Sequence, residues 1–280
     1  MCHLGWNHVY NFQLVNNQTK RARAALTIAG SDCSGGAGLE ADLKTFTAYG
    51  VYGMAVVTCV VAENPRKVVS IHPVPTRIVN EQIVCCLRGM SGVSVKTGML
   101  YSRTIIRAVA KSILNSQSSI LNLVVDPVMV ATSGRRLLEK NAIRALEDLI
   151  SEHADLVTPN LDEAEILAER KIRSESQMET AAHFISQRFS CPVLLKGGHL
   201  KDRRLASDFF WSGRQGLWLR SARVHGIRTH GTGCVYSAAI TANLASGCSF
   251  TESVQHAKHF LTSAIRRAHK FGPWMALKVG

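Results

Sequence analysis

The chain has 280 residues, 46% of them hydrophobic and 19% charged, which supplies one sizeable core and excludes a chain disordered throughout. No apolar run reaches the roughly 18 to 20 uncharged residues of a membrane-spanning helix. The opening MCHLGWNHVYNFQLVNNQ lacks the charged start and apolar stretch of a secretion signal, so a cytoplasmic protein is expected. The formal charge of +13 admits nucleic acid as a partner, but a solvated basic face beside an anionic substrate explains the densest stretch, 199–230, as well as a polymer does.

In chain order, residues 1–24 are polar, Asn-rich and end in Lys20, Arg21 and Arg23; they predict a disordered extension ahead of one domain over 25–280. From there, short Val- and Ile-rich runs alternate with longer amphipathic segments, the pattern of a mostly parallel sheet flanked by helices. Strands are predicted at 25–30, 55–61, 122–128, 155–160 and 192–198. Helices are predicted at 41–49, 76–90, 104–114 and 179–189, where apolar residues recur three and four apart. The runs SDFFWS and GLWLRSARV suggest a hairpin, and two long helical stretches, 232–246 and 250–270, close the chain. The fold class is α/β. Eight scattered cysteines, never spaced as Cys-x-x-Cys, fit free thiols in a reducing compartment better than a disulfide scaffold or a zinc site.

Neither Gly-x-x-x-x-Gly-Lys-Ser/Thr nor Gly-x-Gly-x-x-Gly occurs, which disfavours a Walker ATPase and a Rossmann dehydrogenase. Lys96-Thr97-Gly98 matches a β-lactamase triplet, but no Ser-x-x-Lys accompanies it. What remains is Gly231-Thr232-Gly233-Cys234, which opens the helical run CVYSAAITANLA. Glycines there let backbone amides approach a ligand, and the N-terminal end of the helix dipole suits a phosphate or the charge on a transferring phosphoryl group. A thiol in that position is expected to have its pKa pulled below about 8.5, which makes Cys234 a proton acceptor for an alcohol. Taken alone, the turn is equally an ordinary glycine-rich helix entry with a buried cysteine. His230 beside it either touches a phosphate or packs.

Asp126, in NLVVDPV, and Asn160 with Glu163, in TPNLDEAEIL, stand at strand C-termini, where open parallel sheets bind ligands. They are hard oxygen ligands of the kind Mg²⁺ uses, usually through water, while Asn160 and Glu163 also read as a helix capping box. Lys196 leaves the strand PVLL into Gly197-Gly198-His199, where an ammonium can reach a phosphate and the glycines can admit a nucleotide.

In order and at family-like spacing over roughly residues 25 to 270, the segments ALTIAGSDCSGGAGLEADLKTF, VVAEN, KTGML, DPVMVATSG, TPNLDEAEIL, LLKGGH and HGTGC resemble the hydroxymethylpyrimidine and phosphomethylpyrimidine kinases of thiamine biosynthesis, within the ribokinase-like superfamily. The resemblance implies a doubly wound α/β fold with helices on both faces, ATP with Mg²⁺, and commonly a homodimer. It implies phosphorylation of 4-amino-5-hydroxymethyl-2-methylpyrimidine and then of its monophosphate. Gly231, Thr232 and Gly233 fall at the family's anion hole, with Cys234 in the place of the catalytic base. Glu63 falls where the aminopyrimidine edge is gripped, at a position where many members have glutamine; Gly30, Asp42, Val61 and Met99 line the same pocket. Asp126, Asn160, Glu163, Lys196, Gly197, Gly198 and His199 fall on the nucleotide side, with Asp126 and Glu163 holding the metal through water. Departures are Cys33 in place of proline, Arg135 in place of an acid, and the tail FGPWMALKVG in place of a longer glycine-rich close. The rival readings are a pyridoxal or pyridoxine kinase of the same superfamily and a non-catalytic paralogue that binds a ligand or a polyanion.

Overall fold

The structure, a computed structural model, describes residues 23–131, 134–198, 200, 204–225 and 230–280. The extension expected over 1–24 therefore falls outside the described residues up to residue 22. The strands of the main sheet are β1 Ala24–Asp32, β2 Tyr52–Asn64, β3 Lys67–Pro73, β4 Val93–Thr97, β5 Ile120–Val125, β6 Leu156–Val157, β7 Val193–Lys196, β8 Leu205–Trp211 and β9 Gly216–Ala222. They lie in the order β3-β2-β1-β4-β5-β6-β7-β8-β9. The six from β2 to β7 run parallel, while β3 on one edge and the hairpin β8–β9 on the other are antiparallel.

Alternation along the strands sorts side chains into two layers. Leu26, Ile28, Leu123, Val125, Val193 and Leu195 join the core beneath α2 Thr76–Leu87, α3 Arg103–Asn115, α4 Ile143–His153, α5 Leu161–Leu167 and α6 Glu175–Phe189. Ala25, Val124 and Leu194 point the other way, under α1 Gly38–Ala48, α7 Thr232–Ala245 and α8 Phe250–Arg266. Helices thus cover both faces of a mostly parallel sheet, the doubly wound α/β class that the periodicity and the family resemblance predict. Helix α7 has no polar stripe because it lies between the sheet and its neighbours; every residue from Val235 to Leu244 is buried. The order of strands reverses between β1 and β4, so their C-terminal ends diverge and open a crevice.

Besides β3 and α4, which the sequence pattern does not place, three elements differ from expectation. Strand β4 is absent from the sequence reading because Ser94 and Lys96 interrupt its apolar run, yet all five of its residues are buried. The strand predicted at 155–160 is regular only at Leu156–Val157, because Pro159 has no N–H for the ladder, and it resumes as an isolated bridge from Asn160 to Lys196. The helix predicted at 250–270 stops at Arg266, and a small hairpin, β10 His269–Phe271 with β11 Trp274–Ala276, follows.

Candidate active site

A cavity of about 1040 Å³ runs across the C-terminal ends of the strands. Gly30 reaches it from β1, Val61 and Glu63 from β2, Lys96 from β4, Asp126 from the end of β5, Asn160 after β6 and Lys196 from β7. The loop Gly231 to Cys234 leads into α7 from above. Gly231 sits at φ +79°, and a Cβ there would lie 1.9 Å from the Gly36 carbonyl oxygen, so only glycine lets the two loops meet. Gly233 sits over the charged floor: its Cβ would lie 3.3 Å from Lys196 Nζ and 3.8 Å from Asp126 Oδ2. The first turn of α7 thus lies against a pair of opposite charges.

The loop after β1 is built around Asp32. Its carboxylate accepts the N–H groups of Ser34, Gly36 and Ala37 at 2.8, 3.1 and 2.8 Å and faces His230 Nε2 at 3.1 Å. Burial alone would raise Asp32, but the bonds from His230, Ser34 and Ala37 hold it down at about 2. His230 therefore fastens the glycine turn of α7 to the first loop. Asp32, Glu63 and His230 bring one polar atom each within 4.8 Å of one another. Burial, reinforced by Asp32, pushes the Glu63 carboxyl up to about 7 against the pull of His230. Its backbone bonds to Cys33 Sγ, while its carboxyl has no hydrogen-bond partner among the described residues.

Two ion pairs form the floor. Lys196 Nζ donates to Asp126 Oδ1 at 2.8 Å, and Ser237 and Thr158 complete the carboxylate at 3.1 and 3.2 Å. Burial works against its charge, yet Lys196 and then Lys96 keep Asp126 below the ordinary carboxylate range. Lys96 Nζ meets both oxygens of Asp42 at 2.8 and 2.9 Å, with Thr27 Oγ1 adding a bond at 2.6 Å, and neither side chain of the pair is exposed. Burial opposes the charge of Lys96, but Asp42 outweighs it and the ammonium stays protonated above its ordinary range. Lys96 is the site group that sequence reasoning missed. The signal was present in Lys96-Thr97-Gly98, where a lysine ends an apolar run, but only the partner on α1 gives it meaning.

The capping box is formed: Asn160 Oδ1 accepts the Glu163 N–H and Glu163 Oε2 accepts the Asn160 N–H, each at 2.9 Å. Burial pushes the Glu163 carboxyl up to about 7 although Lys196 draws it down. Gly198 lines the cavity, whereas Gly197 does not. A Cβ on Gly197 would lie 2.2 Å from the Ser207 carbonyl oxygen, and its N–H donates to Asp208 Oδ1 at 2.9 Å, so this glycine serves the packing of β7 on β8. His199 lies outside the described residues.

Cys234 faces the cavity, but its chemistry differs from the expectation of a lowered pKa. Burial pushes the thiol up to about 12, with Lys96 drawing it down and Asp42 and Asp126 adding to the rise. The helix terminus is too small an effect to offset desolvation beside two carboxylates. At rest the group is a neutral thiol.

The profile of the family described as phosphomethylpyrimidine kinase matches residues 32–277. A hydroxymethylpyrimidine/phosphomethylpyrimidine kinase of Rhizobium meliloti is 42% identical over 247 residues, covering 88% of this chain and 91% of that protein. A putative hydroxymethylpyrimidine/phosphomethylpyrimidine kinase 2 of Schizosaccharomyces pombe is 43% identical over 259 residues, and there the match spans 46% of the relative's own length. Among solved structures, the pyridoxal kinase of Staphylococcus aureus in complex with AMP-PCP and pyridoxal superposes with a TM-score of 0.83 at 33% identity, over 92% of this chain and 94% of that one. A match along nearly the whole described chain, on a fold that the strand order reproduces, leads to one assignment: the chain belongs to the phosphomethylpyrimidine kinase family.

Proposed function

We propose that this chain transfers the γ-phosphoryl group of ATP to the hydroxymethyl group of 4-amino-5-hydroxymethyl-2-methylpyrimidine, and then to the resulting monophosphate. The observation that carries the reading is one cavity with the glycine turn of α7 at its middle, Glu63 toward one end and an apolar wall from α8 and the tail at the other. The donor comes from the neighbours: a structural relative binds an ATP analogue in the same fold.

In this reading Glu63 holds the heterocycle, with Gly30, Asp42, Val61 and Met99 shaping its pocket. The N–H groups of Gly231, Thr232 and Gly233 receive the charge of the transferring group, and Lys196, with Asn160 and Gly198, orients the phosphates. Cys234 takes the hydroxyl proton late, since a primary alcohol is too weak an acid to ionise first. Asp126 and Glu163 fit a divalent cation held through water. Both carboxylates are already engaged by protein donors, with burial raising Glu163 and Lys196 holding Asp126 low, which supports contact with a cation through water rather than directly. A divalent cation held there would supply positive charge to offset the phosphates.

A cytoplasmic enzyme acting on small molecules rather than nucleic acid is the accompanying reading. It is supported by free cysteines at every described cysteine position and by lysines that face acids inside the fold. No helix among the described residues is long and apolar enough to cross a membrane. A homodimer is supported by the edge formed by β2 and β3, where Tyr52, Val60 and Val69 stand 67%, 52% and 58% exposed.

A pyridoxal kinase is the second reading, favoured by the structural relative above. Turnover of the aminopyrimidine alcohol beside pyridoxal at equal ATP separates the two; pyridoxal as the preferred substrate overturns the main reading. Glu63 supplies a further check. A neutral aminopyrimidine edge has one donor and one acceptor, so it pairs with a protonated carboxyl, and a protonated ring pairs with the carboxylate. Either pair shares one proton. As pH rises above about 7 that proton is lost, and KM for the pyrimidine is expected to rise by up to about tenfold per unit. Glu63→Gln, which keeps one donor and one acceptor at every pH, is expected to flatten the profile; a KM in the parent enzyme that is constant from pH 6 to 9 contradicts the role.

A further inference from the structure

On the phosphotransferase reading above, we infer that Trp274 is the plate on which the base of the nucleotide stacks. The acceptor end of the cavity belongs to β2, where Glu63 sits, and the phosphate region to the glycine turn at its middle. The nucleoside must then occupy the remaining end, beyond β7, where Asp208 of β8 and Ser221 of β9 form one side. Asp208 is already occupied: Lys258 Nζ donates to it at 2.6 Å and the Gly197 N–H at 2.9 Å. The other side is apolar, formed by Leu261 and Ile265 of α8 and by Pro273, Trp274 and Met275 of the tail.

The tail reaches this position by design of its sequence. Gly272 at φ +54° and Pro273 turn the chain so that β11 runs back along β10, placing Trp274 opposite Phe271. Leu277 and Val279 then pack into the core beneath α7 and α8, and the Lys278 N–H donates to the Ala264 carbonyl at 3.4 Å. The hairpin is thereby pinned on both sides while Trp274 stays 36% exposed on the cavity wall. A packed structural tryptophan would be covered; this indole offers a rigid flat surface beside the space a nucleoside requires, and every base has a π-face to meet it. The tail FGPWMALKVG supplies that surface.

Titration calorimetry of the full chain with ADP tests the assignment. Trp274→Leu keeps apolar bulk and removes the ring; it is expected to weaken ADP by roughly 5- to 100-fold. Trp274→Phe keeps a plane and is expected to stay within about threefold of the parent. ADP affinity equal in the parent and the Leu variant overturns the inference and leaves the kinase reading intact. So does a Phe variant as weak as the Leu variant, which also decides the case if leucine disturbs the tail. A parent protein that binds no ADP overturns the kinase reading itself.

Discussion

Cys234→Ala is expected to lower kcat for the alcohol substrate by about 10²- to 10⁴-fold while ADP affinity stays within about threefold. In the proposed transfer the thiol sits where the hydroxyl proton would go, on the turn that would receive the phosphoryl charge, while His230, the base beside that turn, is tied to Asp32 at 3.1 Å. Because burial holds the thiol up at about 12, the thiolate is a minor species at pH 7. The kcat of the parent is therefore expected to climb about tenfold per pH unit between pH 6 and 9, as the thiolate fraction grows. Cys234→Asp places an acid there that ionises far lower, and it should flatten that climb. The second phosphorylation provides an internal control. A phosphate monoester is already mostly ionised at neutral pH, its second pKa being about 6, so it needs no base. Steady-state kinetics on both acceptors should then show a loss on the alcohol at least about tenfold larger than on the monophosphate. Equal losses on the two would assign Cys234 to the shape of the turn instead of to proton transfer.

Lys96→Met is expected to destabilise the fold by about 3–5 kcal/mol, because it strands Asp42 as an unpaired acid with no exposed surface. The change also removes the positive charge that does most to draw the Cys234 thiol down, so kcat should fall by about tenfold or more beyond any effect of stability. Adding Asp42→Leu to Lys96→Met removes the stranded charge and should recover most of the stability but none of the activity. Urea unfolding of the parent, the single and the double variant measures the first part. A double variant no more stable than the single one would mean that burial of the pair is not what holds this region.

How far the site could be read from the sequence follows from the range of the forces involved. The glycine turn, Asp126 and the Asn160–Glu163 box are local features, each a residue type at a strand or helix end, and all of them line or cap the cavity. The alternation of apolar runs likewise revealed the α/β layering. What escaped depends on partners distant in the chain. Lys96 reads as a break in a strand until Asp42, 54 residues away, is placed against it. The tie between His230 and Asp32 spans 198 residues and makes the turn a junction of two loops. The direction of the Cys234 shift also depends on distance: proximity to a helix N-terminus is visible in the sequence, but the two carboxylates and the depth of burial that outweigh it are not. Gly197, paired with Gly198 in the sequence, stays out of the cavity lining, and its N–H goes to Asp208 on β8.

The central claim is that a phosphoryl group passes from ATP to a hydroxymethyl group on an aminopyrimidine within this cavity. Phosphorus-31 NMR of the purified chain with ATP, Mg²⁺ and 4-amino-5-hydroxymethyl-2-methylpyrimidine follows that transfer directly. The account predicts loss of the γ-phosphorus signal matched by a new phosphate monoester, followed by a diphosphate as the monoester is consumed. Unchanged ATP, or ATP converted only to ADP and inorganic phosphate while the alcohol persists, would contradict it.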